Sequence, residues 1–492
     1  MGQGKVGGHA GRLAYEDHMP ISSDFETPVD QAFRERLIIM KHMEERMKRN
    51  GAYIAGNKFP RLLMSLVSLC LALIQLEMAH ADVTVTEVME TIPTYLSGPP
   101  EPNPMFFFGQ GTQGAEQRIY PYPLFDNLTH QKADKDYRLV YLENEYVRIA
   151  ISPELGGRLF SGVDKTNGYE FIYRQSVIKP ALIGMTGAWI SGGVEWNIPH
   201  HHRASTFSPV QYSIEDHPDG AKTVWVGELE IRHRTRWAVG YTLYPGSSVV
   251  DCEVRISNRM PMENTMLCFA NIAVHINEDY QVIFPPHTQW STSHSKRKFN
   301  SWPMVGGKDV SWYKNNLRGH SWFAVNDQDD FVAGFDHGQN AGLVTIANRH
   351  LVPGKKFFTW GMNNMWDDIL TDEDGPYLEI MVGAYSDNQP DYSWMQPYEQ
   401  RAVTMSLLPF RGIGGVKNST RDASINLEVK DGMIGYGFYT AQAHANAHVH
   451  LSIGDQILAE EMIAIDPANP YRNEVPLPAG ADKHSVRAVL SV

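Results

Sequence analysis

The stretch TVWVGELEIRHRTRWAVGYTLYPGSSVVDCEVRIS, residues 223–257, decides the fold class. In it, valine, isoleucine, tryptophan and tyrosine alternate with polar residues, which is the period of two that a half-buried strand requires. Turn-forming residues such as PGSS separate the apolar runs. The pattern therefore predicts three consecutive strands, at 223–231, 237–244 and 248–257.

The same period continues outward from this stretch. Residues 138–152 are typical of a β-hairpin, and further strands are predicted at 331–336, 343–348, 377–385 and 402–408. Clear helical periodicity occurs only at 32–49. Loops longer than about 15 residues are uncommon unless they build a site, and many of the histidines and tryptophans fall in three such loops, at 174–210, 284–322 and 386–400. We therefore predict an all-β protein whose long loops form a ligand site.

Composition narrows the possible partners. The 492 residues include 43 lysines and arginines against 56 acids, so the formal net charge is -13. That balance favours neither nucleic acid nor an anionic membrane surface as a partner. The 11 tryptophans and 22 tyrosines serve either as packing or as flat platforms on which sugar rings stack.

The N-terminal region has the features of an export signal. Residues 62–75, LLMSLVSLCLALIQ, are apolar, follow a basic stretch, and precede the small-x-small sequence Ala79-His80-Ala81. The run is shorter than the ~20 residues of a spanning helix. We expect a signal peptide at 47–81 that is cleaved near Ala81, a periplasmic or secreted protein without a stable membrane span, and a disordered extension or mis-assigned start at 1–46.

The remaining chain divides near residue 412, where the sequence becomes more polar. We predict a main β domain at 82–415 and an immunoglobulin-like β-sandwich at 416–492. In the second part, His444, His448 and His450 alternate along one strand, which indicates a solvated face more than a metal site. Cys252 and Cys268 either form a disulfide, which an exported protein permits, or remain two buried thiols.

One loop combines residues that a purely structural loop has little use for. In GGVEWNIPHHHRAST, residues 192–206, Glu195 lies beside Trp196 and is followed by three histidines, His200 to His202, and by Arg203. Glycine and proline lie at the joints of this stretch. The combination indicates a ligand site.

Several stretches resemble a known superfamily. SPELGGRLFSGVDKTNGYEFIYRQ (152–175) and NIAVHINEDYQVIFPP (271–286) are similar to signatures of galactose mutarotase-like proteins. More narrowly, GGVEWNIPHHHR, DGPYLEIMVGAYSDNQPDYSWMQPYE and LPFRGIGG resemble an uncharacterised mutarotase-like domain of bacterial exported proteins, which often precedes tetratricopeptide repeats. The resemblance spans roughly residues 95–415 and implies a β-supersandwich with a sugar-sized cleft. The catalytic-acid context of aldose 1-epimerases is not visible, so their activity does not carry over directly.

Two glutamates are the predicted catalytic pair. In YLEIMVG, Tyr377, Glu379 and Met381 share one face of a strand, so Glu379 is expected to point into the cleft; a solvent-exposed or salt-bridged glutamate is the structural alternative. Burial beside Trp196 is expected to raise the pKa of Glu195, as a general acid requires. A pair of carboxylates is the minimum for cleaving a glycosidic bond.

Further residues complete the predicted site. The superfamily resemblance makes His275 a candidate for proton relay, and the predicted substrate-binding residues are Arg158, Trp196, His200, His201, His202, Arg203, Tyr385, Tyr392 and Trp394. Each has an alternative: Arg158 fixes a turn, the aromatic loop is a packed lid, and His200, His202 and His275 bind a metal or serve structure. No GxSxG, Walker or HExxH sequence occurs, and we predict neither a cofactor nor a metal.

Three functions remain open from the sequence. The first is an exported glycoside hydrolase that acts on an oligosaccharide or polysaccharide through Glu195 and Glu379. The second is a sugar mutarotase or epimerase, with His275 or His201 as the acid and Glu379 as the base. The third is a noncatalytic carbohydrate-binding protein.

Overall fold

The computed structural model describes residues 82–102, 119–184, 187–294, 297–363, 366–386 and 392–492. The predicted extension at 1–46 and the predicted signal peptide at 47–81 therefore lie outside the described residues. Within the described ranges, no helix is both long enough and apolar enough to cross a bilayer.

Strands dominate the main part of the chain. The only α-helix of the described residues, α1, is the four-residue Asp367–Leu370, and three 3₁₀ turns cover Pro153–Leu155, Tyr313–Asn315 and Lys483–Ser485. The strands of the main part are β1 Thr84–Ser97, β2 Leu128–Glu143, β3 Val147–Ser152, β4 Arg158–Asp164, β5 Tyr169–Ile172, β6 Ala181–Gly184, β7 Gly187–Trp189, β8 Val194–Asn197, β9 Gln211–Asp216, β10 Lys222–Glu230, β11 Thr235–Leu243, β12 Val250–Asn258, β13 Asn264–Met266, β14 Cys268–His275, β15 Tyr280–Ile283, β16 Trp290–Thr292, β17 Asn300–Ser301, β18 Met304–Val305, β19 Lys308–Asp309, β20 His320–Val325, β21 Phe331–Asp336, β22 Ala341–Ile346, β23 Gly354–Thr359, β24 Tyr377–Ala384, β25 Ser393–Met395 and β26 Gln400–Arg411.

Two large sheets form the main body. Among the described residues, a 12-stranded sheet runs in the order β1-β2-β3-β4-β8-β14-β24-β23-β20-β16-β17, with β5 paired to β4. An 8-stranded sheet runs β15-β21-β22-β26-β12-β11-β10-β9. Aliphatic side chains of both sheets, including Ile272 and Ile380 from the first and Val239 and Val254 from the second, share one buried core. The predicted all-β fold is confirmed, and the strands expected at 223–257 are β10, β11 and β12.

A smaller β-sandwich follows the main body. Its strands are β27 Asn418–Ser419, β28 Ala423–Lys430, β29 Met433–Thr440, β30 His444–Ile453, β31 Gln456–Ile465, β32 Tyr471–Pro476 and β33 Val486–Ser491. They form a sheet β27-β28-β29-β32 and a sheet β31-β30-β33. Ile434 and Tyr436 from one sheet meet Val449 and Leu451 from the other in a shared core.

Cys252 and Cys268 are free and buried, so the disulfide alternative is wrong. The two residues lie on β12 and β14, in different sheets. Burial raises the pKa of both thiols, Cys268 to about 12, which keeps them protonated at neutral pH. They act as small apolar core residues.

Four neighbouring strands of the larger sheet decide which side chains meet. Asn271 on β14 pairs with Glu195 on β8 and with Met381 on β24, and Met381 pairs in turn with Lys356 on β23. Directly paired residues point to the same face of a sheet. The sequence predicts a loop at Glu195, but the residue lies on a strand. Because β8 has only four residues, it is too short to display the period of two.

We expect Gly383→Ala to destabilise the main body. A Cβ at Gly383 would lie 1.9 Å from the ring of Phe269, the residue paired with it across β14 and β24. Overpacking of this kind costs about 1–3 kcal/mol. Thermal unfolding should show a lower midpoint than that of the unchanged protein.

Gly435→Ala is the matched control for this substitution. Gly435 also lies within a strand, β29, but the nearest atom to an added Cβ is 4.0 Å away. Its unfolding midpoint should change little. Equal effects of the two substitutions would contradict the packing argument.

Candidate functional site

A cavity of about 180 Å³ opens on one face of the larger sheet. It is smaller than the roughly 300–1,000 Å³ of sites for drug-sized ligands, so its size suits a small ligand. Aromatic rings and ionisable groups share its wall. The residues that line it are Ile183, Trp189, His201, His202, His294, Ser321, Lys356, Phe358, Trp366, Leu370, Tyr377, Glu379 and Met381.

Glu195 holds the imidazole of His202 from behind. Nδ1 of His202 lies 3.0 Å and 3.2 Å from the two carboxylate oxygens of Glu195, and the hydroxyl of Thr206 donates to the same carboxylate. An ionised carboxylate only accepts hydrogen bonds, so Nδ1 of His202 carries a proton, and Nε2 is the ring nitrogen at which a proton is gained or lost. This is the arrangement that orients a histidine for proton transfer.

The backbone of His202 is also held in an uncommon conformation. Its φ is 44°, in the left-handed region that few non-glycine residues adopt. Its N–H donates to the side-chain carbonyl of Asn197 at 2.5 Å. Backbone strain of this kind persists where surrounding contacts impose it, and it is frequent at functional sites.

The predicted rise in the pKa of Glu195 is wrong. Burial by itself raises the pKa of this carboxyl, but the charge and hydrogen bond of His202, the charge of Arg158 and the Thr206 hydroxyl outweigh it and lower the pKa to about 2. Glu195 is therefore ionised at neutral pH. It is suited to positioning His202 and not to donating a proton.

Glu379 lines the cavity, as predicted from the alternation in β24. Its carboxylate accepts a hydrogen bond from the hydroxyl of Tyr377 at 3.1 Å. Burial raises the pKa of Glu379 well above its usual range and the charge of Glu195 adds to the rise, while the positive charges of His202 and Lys356 oppose it. Glu195 and Glu379 thus belong to one group of interacting charges, in which the pKa of Glu195 is lowered and the pKa of Glu379 is raised.

Sequence reasoning missed two basic residues of the cavity, Lys356 and His294. Lys356 is 1% exposed, and its ammonium lies 4.8 Å from the ring centre of Phe323 and 5.7 Å from that of Phe269. Burial lowers its pKa, and burial together with the charges of Lys356 and His320 lowers the pKa of His294 to about 3. A signal was present: in GKKFF, at 354–358, period two places the adjacent lysines on opposite faces.

Three predicted ligand residues are structural. Trp196 is buried in the core between the sheets, and its indole N–H donates to the Tyr241 hydroxyl at 2.8 Å. The guanidinium of Arg158 donates to backbone carbonyls, the nearest that of Gly192 at 2.6 Å. Arg203 donates to the carbonyls of Trp196 and Gly156. None of the three lines the cavity, and the turn-fixing alternative for Arg158 agrees with its contacts.

The predicted histidines separate into two groups. His201 and His202 line the cavity with their rings 3.7 Å apart. His200 is buried behind them, within 6.4 Å of the His233 ring. His275 lies outside the cavity, with its ring centre 4.3 Å from that of Tyr173 and its Nε2 3.2 Å from the carboxylate of Glu170. Within the described ranges, no three His, Cys, Asp or Glu side chains are grouped to hold a metal ion.

The predicted aromatic platform does not reach the cavity wall. The hydroxyl of Tyr385 donates to the carbonyl of Ala402, and its ring carries the Arg401 guanidinium. Tyr392 packs against a buried cluster that includes Met381. Trp394 is 58% exposed on β25. The cavity instead takes its aromatic surface from Trp189, Phe358, Trp366 and Tyr377.

We expect Glu195→Gln to lower the free energy of unfolding at neutral pH. In acid, the difference in this free energy between the variant and the unchanged protein should become smaller. A carboxyl whose pKa falls from 4.5 to about 2 on folding stabilises the native state by ~3 kcal/mol above its unfolded pKa. That contribution disappears as the pH drops from about 4.5 toward 2. Urea unfolding at pH 7, 5 and 3 measures the effect.

The surface substitution Glu263→Gln serves as the control, because Glu263 is exposed. Its unfolding free energy should follow that of the unchanged protein at each pH. A deficit of Glu195→Gln that stays constant or grows in acid would contradict the electrostatic assignment of Glu195.

A search of solved structures finds proteins similar to this chain. A TPR-domain containing protein from Parabacteroides distasonis is 24% identical, with a TM-score of 0.59 over 67% of this chain and 56% of that chain. A galactose mutarotase-like protein from Clostridium acetobutylicum is 10% identical, with a TM-score of 0.42 over 56% of this chain and 96% of that one. A putative aldose 1-epimerase from Klebsiella pneumoniae is also 10% identical, with a TM-score of 0.40 over 56% of this chain and 79% of that one. The matches include proteins of the kind that the sequence resemblance named.

Family models match both parts of the chain. Residues 418–492 match the second domain of YphG-like proteins. This chain spans little more than half of the length of the Parabacteroides distasonis protein, at 56%. Residues 115–408, more than half of the 492, match a domain of unknown function. The chain belongs to that family, described as Domain of unknown function (DUF5107).

Proposed function

We propose that this protein is a carbohydrate-active enzyme that transfers protons at the anomeric centre of a sugar and thereby interconverts sugar forms, as a mutarotase or epimerase does. The observation that carries the proposal is that Glu379 and His202 line one cavity of about 180 Å³. A carboxyl group and an imidazole are the side chains most used for general acid–base catalysis. The structures named as mutarotase-like among the matches suggest the same substrate class.

The wall of the cavity suits a sugar. Trp189, Phe358, Trp366 and Tyr377 supply aromatic surface for the C–H face of a ring. Among the described residues, the indole N–H groups of Trp189 and Trp366 and the hydroxyl of Ser321 have no hydrogen-bond partner. Buried polar groups are normally paired, so polar groups without a protein partner lie in the residues of this wall.

The roles follow from the electrostatics. The raised pKa of Glu379 allows this carboxyl to exchange a proton near neutral pH. His202 gains or loses the second proton at Nε2, because Nδ1 keeps its proton in the hydrogen bond that it donates to Glu195. Protonation of the ring oxygen by one group and deprotonation of the anomeric hydroxyl by the other opens the ring; the reverse steps close it on either face. Glu195 is a positioning residue in this scheme.

Hydrolysis of a glycosidic bond is the second candidate. It is favoured by the raised pKa of Glu379, which suits a general acid that protonates a leaving oxygen. The second carboxylate, that of Glu195, is engaged by His202 and Thr206, so His202 would have to activate the water. Hydrolysis creates new reducing ends, whereas anomer interconversion does not.

We expect Glu379→Gln and His202→Gln each to lower turnover by about 10²–10⁴-fold, the contribution of a general acid or base. The assay follows freshly dissolved reducing sugars by polarimetry and NMR, with a reducing-end assay on oligosaccharides in parallel. His275→Gln is the matched control and should keep the unchanged rate, because His275 lies outside the cavity. Full activity in both cavity variants would refute the proposal.

We expect Glu195→Gln to lower kcat and to leave KM nearly unchanged, because Glu195 acts on His202 from behind and does not touch the substrate. Full kinetics at saturating sugar separate the two constants. A change confined to KM would place Glu195 in substrate binding instead. Thermal unfolding of the variant, measured in parallel, separates a loss of fold from a loss of catalysis.

A further inference from the structure

Adjacent lysines on β23 have opposite environments. Lys355, which is 3% exposed, forms an ion pair with Asp327 and donates to the carbonyl of Asp329 at 2.6 Å. Lys356 is 1% exposed on the cavity face, and no carboxylate of the described residues lies within 4.0 Å of its ammonium. Lys355 thus has a carboxylate in contact, whereas Lys356 has only the more distant charge of Glu379 nearby.

A buried ammonium with no anion in contact is costly in its charged form. Burial accordingly lowers the pKa of Lys356, and the charge of Glu379 only opposes that shift. The rings of Phe269 and Phe323, at 5.7 Å and 4.8 Å, offer the ammonium only cation–π contacts. Glu379 is the one acid among the residues that line the cavity. It is diagonal to Lys356 across β23 and β24 and accepts the hydrogen bond of Tyr377. The cavity thus presents a lysine whose strongest kind of partner, an anion in contact, is not supplied by the described protein.

Further basic groups surround the same space. His201 and His294 line the cavity with Lys356. Burial and neighbouring positive charges, that of Lys356 among them, lower the pKa of both imidazoles. Both imidazoles are therefore uncharged at neutral pH, so Lys356 and not these histidines would meet the charge of a bound anion.

We propose that the sugar bound in this cavity carries an anionic substituent, a carboxylate, sulfate or phosphate, and that Lys356 binds it. The inference rests on the proposed function for the sugar itself and adds the class of sugar. Lysine acts as a point charge toward such groups. Because the site is buried, the contact is worth more than the same contact in water. The aromatic wall would then hold the ring while Lys356 selects the charge.

The test is a binding measurement by calorimetry on the full chain. The ligands are glucuronic and galacturonic acid, their uncharged amides, and the 6-sulfates and 6-phosphates of glucose and galactose. We expect at least one acidic sugar to bind about 10–100-fold more tightly than its neutral counterpart, the size of a charge-assisted contact. The acidic sugar with the largest gain in affinity over its neutral counterpart identifies the anionic group that the site binds.

Lys356→Met should reduce the ratio of the affinity for the acidic sugar to the affinity for its neutral counterpart toward one. Lys417→Met, at an exposed lysine paired with Glu428 in the smaller sandwich, is the matched control and should keep the ratio. Replacing the buried charge with an apolar chain of similar length should leave the unfolding midpoint unchanged or raise it. A purely structural Lys356 would instead lower the midpoint and leave the ratio intact.

Failure of this inference is distinguishable from failure of the proposed function. Turnover of neutral sugars without preference for any acidic one overturns the inference and keeps the acid–base proposal. A charge preference that depends on Lys356, without turnover of any sugar, supports the inference and overturns the enzyme assignment. If no acidic sugar binds, or if the preference survives in Lys356→Met, the inference is wrong.

Discussion

Antiparallel pairing of β8, β14, β24 and β23 is the constraint on which the cavity depends. The pairing sets Glu195 opposite Asn271, Asn271 opposite Met381, and Met381 opposite Lys356. Because successive side chains of a strand point to opposite faces, a shift of one residue in any pair would turn its ionisable group into the core between the sheets. The apolar residues between them, such as Ile272 and Ile380, secure the register by filling that core.

Burial acts on the ionisable groups of this face in different ways. It favours the neutral form of every carboxyl, yet Glu195 stays ionised because His202, Arg158 and Thr206 stabilise its charge. Glu379 receives one hydrogen bond from Tyr377 and has the charge of Glu195 nearby, so its pKa rises. Two carboxyl groups with opposite shifts in one cluster are a common basis for dividing acid, base and positioning roles.

Several groups of the cavity wall lack the partners or the conformation that is usual in a folded protein. The N–H groups of Trp189 and Trp366 lack protein acceptors among the described residues, His202 has a φ of 44°, and Lys356 has no carboxylate in contact. Natural proteins keep such features where function requires them and compensate by packing elsewhere. Here the compensation is the core shared by the two large sheets. The smaller sandwich at β27–β33 has its own core and contributes no residue to the cavity wall.

The sequence by itself determined the all-β class, the strands from β10 to β12 and the face of Glu379, because alternation is a local property that successive residues display directly. The sequence also identified the loop that contains Glu195 and His202 as a candidate ligand site. Only the tertiary structure decided that His202 lines the cavity with Glu195 behind it, that Trp196, Arg158 and Arg203 serve the core and the backbone, and that Lys356 lies diagonal to Glu379. Those outcomes depend on which distant strands pair and on which groups each side chain contacts once water is excluded. Neither can be deduced from the residues that neighbour it in the sequence.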